Sequence, residues 1–114
     1  MAASSVSLLT VGVTAAAALT AFRAVTEGGV VPAAAARCLG FVQQPVNNGD
    51  RAPVVVLGTV QAEAGAAIAA NAQVELDASG RVVTKSAGTA VGRLLPGYTA
   101  SAAGDIVEIM LIPT

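Results

Sequence analysis

The sequence predicts an all-β domain, a small barrel or sandwich of short strands. Three observations carry that prediction. Runs rich in β-branched residues recur at short intervals, at 52–60 (APVVVLGTV), 72–84 (AQVELDASGRVVT) and 106–112 (IVEIMLI); such runs between turn residues are the signature of strands. The alanine runs at 15–18, 33–36 and 66–70, which favour helix locally, are each broken by Gly, Thr or Pro within about six residues, too short for a stable isolated helix. And one phrase is written twice: Gly49-Asp50 leads into one Val-rich run and Gly104-Asp105 into another.

In chain order, residues 1–14 read as an uncharged extended arm or first strand, because Val6, Leu8 and then Val11, Val13 alternate with smaller residues. The same stretch does not read as a secretory leader, since the first basic residue, Arg23, follows the apolar run instead of preceding it. Nor does it read as a membrane span, because Ser, Thr and Gly interrupt the roughly 20 apolar residues a span needs. At most one or two short helical turns are expected, at Pro32–Arg37, where Pro suits a first helical position, and at Ala66–Ala70. Segments 36–42 (ARCLGFV) and 89–95 (TAVGRLL) are matched short strands, each with a central Gly. Between 72 and 84, Asp77-Ala78-Ser79-Gly80 is a hairpin turn with a mechanism: Asp starts it through its side chain and Gly takes the positive φ at its end. Asn48-Gly49 is a tight-turn pair, and Asp50 and Asp105 are expected to hold their turns by accepting nearby backbone N–H bonds.

The doubled phrase extends further. Leu19 and Val25 match Ile68 and Val74, Gly40 matches Gly92, Gly49-Asp50 matches Gly104-Asp105, and Val54 and Val56 match Ile109 and Leu111. The offset grows from 49 to 52 to 55, which two small loop insertions explain. The chain therefore reads as a single β-domain, 15–114, made of two tandem β-units at 15–58 and 64–112, preceded by the arm.

Composition narrows the chemistry. With 114 residues, 32 of them Val, Leu, Ile or Phe, the chain can build one cored domain. Six basic and seven acidic residues are scattered, so no basic stripe exists for a nucleic-acid backbone. Phe22, Phe41 and Tyr98 are the whole aromatic inventory, which leaves little for stacking on bases or sugars. There is no histidine, so Ser-His-Asp and Cys-His catalysis and His-ligated metals are excluded. Cys38 is alone and reads as a small buried hydrophobe. GTAVG lacks the Lys-Ser/Thr of a nucleotide loop. Glu75 and Asp77 share a strand face while Asp105 and Glu108 fall on opposite ones; neither set offers the oxygen count of a calcium site. The reading is a protein without catalytic residues, metal, cofactor or small-molecule substrate.

EAGAAIAANAQVELDASGRVVT (63–84), GTAVGRLL (88–95) and SAAGDIVEIMLI (101–112) resemble the corresponding segments of small phage head-decoration, or capsid cement, proteins. The shared cadence is an Ala/Gly entry, a Val strand, an Asp-x-x-Gly-Arg/Lys hairpin, a Gly-centred strand and a Gly-Asp turn into a final strand. Asn71 departs from it, standing where the family often has Gly. The resemblance implies a non-enzymatic β-protein, made in the host cytoplasm, that binds the major capsid protein on the outer surface of the virion, commonly as a trimer. For docking, the candidate strip is Val6, Leu8, Leu9, Val11 and Val13, an extended segment able to add as a strand to a capsid edge; the rival reading makes the same segment the first strand of its own barrel. The alternative function is a virion-displayed β-module that binds a host surface or glycan.

Overall fold

In the computed structural model, residues 5–112 are described. They form one sheet of eight strands: β1 (Val6–Thr14), β2 (Arg23–Val25), β3 (Gly40–Val42), β4 (Arg51–Glu63), β5 (Gln73–Leu76), β6 (Val82–Thr84), β7 (Gly92–Leu94) and β8 (Ile106–Leu111). Neighbours run β2-β3-β4-β8-β7-β5-β6, and β1 pairs with β4 off that path. Every named strand pair is antiparallel. The ribbon curls until its ends meet: Ala24 N–H donates to the Gly80 carbonyl at 2.9 Å, joining β2 to the β5–β6 turn and nearly closing a barrel. Glu63 ties the same seam, 3.1 Å from Arg23 and 3.8 Å from Arg81, which also pairs with Asp77 at 3.1 Å. Neither alanine-rich segment coils into a helix. Around Ala35 the chain makes a turn with φ 63°, and the Ala35 N–H donates to Leu76; Ile68 makes a lone bridge to Ala100.

Several hydrogen bonds and strand pairs of residues 15–58 have counterparts in residues 64–112. Ala15 N–H donates to Asp50 as Ala64 donates to Asp105, and Gly49 N–H donates to Ala15 as Gly104 donates to Ala64, all at 2.8 Å. The bridge Leu19–Val46 has its counterpart in Ile68–Ala100. Val25 pairs with Gly40 and Val74 with Gly92; Val42 pairs with Val54 and Leu94 with Ile109. The match takes in the N-terminal segment as well. β1 lies on Val54 and Ala52 through Val11 and Val13, as the end of β4 lies on Ile109 and Val107 through Val60 and Ala62. β1 is thus the first strand of the chain's own sheet.

Close packing explains the two central glycines. A Cβ on Gly40 would collide with the Val55 carbonyl oxygen, and one on Gly92 with that of Met110. The core falls into two clusters. The larger holds Phe41, Val55, Leu76, Val91, Leu94, Ile109 and their neighbours. The smaller, with Leu19, Val25, Val42 and Val54, is built wholly from the first half and is flanked by half-buried Val11, Val13, Leu39 and Val56.

Candidate docking surface

β1 carries no charged residue, and its first five residues are all exposed. One side of the strand is bonded to β4; among the described residues no strand pairs with the other. A nine-residue uncharged edge left open this way is a template for another chain. The register supplies the cause of its exposure. Ser7 pairs with Gly58 and Leu9 with Leu57, leaving Leu8 as an extra, bulged residue. A bulge re-aims its side chain, and Leu8 is 69% exposed. Gly58 accommodates the bulge at φ 107°, where a Cβ would strike the Val6 carbonyl.

The five residues of the candidate strip divide. Val6, Leu8 and Leu9 are exposed. Val11 and Val13 pack against the smaller core, so they hold the strand down while the first three face solvent. Two further exposed apolar residues, not singled out in the sequence, adjoin the candidate strip. Leu57 pairs with Leu9, and Met110 lies in one row with Val6 through Thr59; they are 41% and 43% exposed. Both sit in runs that are apolar on both faces, where alternation gives no outward signal. Beside β1 a cleft of about 270 Å³ is lined by Leu9, Leu39, Val56, Leu57, Cys38 and the Glu27–Arg37 ion pair. Burial, then the Glu27 charge, pushes the Cys38 thiol up to about 12, which leaves it unreactive.

The turn residues are structural. Asp77 accepts from the Ser79 and Arg81 N–H groups, both at 2.9 Å, and Gly80 closes the hairpin at φ 79°. Asp105 accepts from the Ser101 N–H and hydroxyl and from the Ala102 N–H; those bonds hold its carboxyl below the usual carboxylate range. Asp50 departs from expectation. Among the described residues no N–H donates to its carboxylate, and the turn is held by the Asp50 N–H donating to Asn47, with Asn48 exposed beside it and Gly49 at φ 90°. Glu75 caps the β6–β7 loop through the Ser86 and Gly88 N–H groups. Glu108 is buried on β8, accepting from the Thr59 hydroxyl at 2.8 Å. Its partner Tyr98 has a raised hydroxyl pKa, from burial first and then from the Glu108 charge and hydrogen bond. Among the described residues no group of three His, Cys, Asp or Glu could hold a metal.

A family model described as phage cement protein matches residues 4–112. The chain belongs to the phage cement protein family. That is a family of phage structural proteins, so this chain is a capsid-associated virion component. The fold is similar to the crystal structure of the head fiber gp8.5 N base in bacteriophage phi29, with a TM-score of 0.75 over 91% of this chain and 93% of that one. At 18% identity the likeness is one of fold. No curated protein sequence matches the chain.

Proposed function

We propose that this cement protein binds the outer surface of the capsid lattice through the open face of β1 and reinforces the shell, with the major capsid protein as its partner and trimers forming on the lattice. The observation that carries this reading is Leu8, a leucine bulged out of an uncharged edge strand and 69% exposed. Burying such a side chain contributes about 1.5–3 kcal/mol, and the free backbone edge of β1 adds main-chain hydrogen bonds to an extended capsid segment. One such contact is modest. A lattice repeats it, and subunits held together by neighbouring copies gain from simultaneous engagement.

The alternative, display of a glycan-binding face, finds little support in the aromatic residues. Phe41 and Tyr98 are buried and Phe22 half-buried, so none is presented for stacking on a sugar.

Removing β1 altogether would strip Val11 and Val13 from the smaller core, so the test is a point change. Leu8→Asp should leave the thermal melt unchanged and weaken binding to capsids lacking the protein by at least about tenfold, equivalent to ~1.4 kcal/mol. Unchanged binding by the folded variant would remove β1 from the docking surface.

A further inference from the structure

We propose that the cleft beside β1 is one side of a head-to-tail contact between copies of this chain, and that the row Gln73–Arg93–Met110 of a second copy closes it. The inference comes from the way the two halves of the chain already fit together. In the first half Ala24, Phe41 and Val55 pair in a row across β2, β3 and β4. Residues paired laterally project from the same face. This row is buried in the larger core, where it joins Leu76, Val91 and Leu111 of the second half. The first half thus lays its outer row into the interior of the second.

Each surface has a counterpart left unfilled. The row equivalent to Ala24–Phe41–Val55 in the second half is Gln73–Arg93–Met110, paired in the same manner across β5, β7 and β8, and all three residues are exposed. The positions equivalent to Leu76, Val91 and Leu111 in the first half are Glu27, Leu39 and Val56, and all three line the cleft. Leu39 and Val56 are only half-buried there, whereas Val91 is 1% and Leu111 8% exposed in the half that is covered. Repeating the internal fit between molecules sets the second copy's outer row on the first copy's open cleft.

The side chains suit the exchange. Met110 stands where Val55 does, and a flexible thioether fits an irregular apolar cleft of Leu39, Val56 and Leu57. Arg93 stands where Phe41 does, and Glu27 where Leu76 does. Two members of one apolar core within the chain are replaced by a cation and a carboxylate between chains. Among the described residues Arg93 has no ion-pair partner, while Glu27 is exposed and paired only with Arg37. Such a contact is heterologous, joining different surfaces of the two copies, and closes into a ring when the rotation allows. It needs no capsid and leaves Leu8 outside both surfaces, while Leu57 and Met110 are shared with the candidate docking face.

Sedimentation velocity of the full chain from about 10 μM to about 1 mM tests it. The wild type should associate with rising concentration. Met110→Asp, which spoils the row, and Leu57→Asp, which spoils the cleft, should each weaken association at least tenfold while keeping the native circular dichroism and melt. Mixed together, these two variants should recover dimers and nothing larger, since one intact row meets one intact cleft. Arg93→Glu should fail likewise and be rescued by mixing with Glu27→Arg. A wild type monomeric throughout, variants that associate normally, or a mixture that does not recover dimers would each overturn the proposal.

Discussion

Phe22 and Asn71 hold the same left-handed backbone, with φ of 66° and 63°, at equivalent points just before β2 and β5. Few residues other than Gly and Asn accept that conformation without strain. The pairing links sequence to architecture: each half turns into its first short strand through the same left-handed corner, and the second half places there Asn, which tolerates it better than Phe does.

Asn71→Gly should therefore be neutral or slightly stabilising, and Asn71→Val should cost about 1–3 kcal/mol, since a β-branched residue is an outlier at this φ. Chemical denaturation of the two variants checks this. Asn71 is exposed, so a loss in the valine variant reports backbone strain and not lost packing.

The strand glycines give a second test. Gly40→Ala and Gly92→Ala each force a methyl onto a partner-strand carbonyl oxygen, Val55 in one case and Met110 in the other. Each should lower stability by about 1–3 kcal/mol, in the range of overpacked sites. Gly40 should suffer more, because its Cβ would press closer to the partner carbonyl oxygen than that of Gly92, which would lie 2.7 Å from the Met110 oxygen. Equal melts for wild type and both variants would show that these strands pair at a different spacing.

Acid stability depends on Asp105 and Glu75. Backbone N–H bonds lower both carboxyls in the folded chain. A lowered folded pKa means the unfolded chain binds protons more readily, so the stabilisation is present above the ordinary carboxylate pKa of about 4 and is lost as pH falls through the lower folded value. Asp105→Asn and Glu75→Gln should each flatten the fall in melting temperature below about pH 4 and lower the plateau above it. An acid limb identical to wild type in both variants would contradict the assignment.

Cys38 should resist labelling. Its thiol, pushed up to about 12 and 6% exposed, holds roughly a thousandfold less thiolate than an ordinary cysteine. Iodoacetamide at neutral pH should modify it only when denaturant unfolds the chain. Rapid modification of the native protein would place it at the surface.

Features with a local cause were legible in the sequence. The Asp77–Gly80 hairpin declares itself because Asp and Gly act within four residues, and the two Gly-Asp turns stand out because each is written into a short local phrase. Non-local features were hidden. Nothing near Val6 announces that it will pair with Thr59, so arm and strand could not be separated. Glu108 reads as an outward strand residue, and only the distant Thr59 and Tyr98 make it buried. Asp50 and Asp105 look identical in sequence. Their difference arises only on folding: Ser101 is placed to donate to Asp105, whereas backbone bonds hold the turn at Asp50.

The central claim, that this chain decorates the capsid lattice, is tested most directly by its copy number on gradient-purified particles. Quantitative mass spectrometry against the major capsid protein should find near one copy per capsid subunit, as a protein that occupies each repeat of the shell requires. Absence from intact particles, or only a few copies per virion, would contradict it.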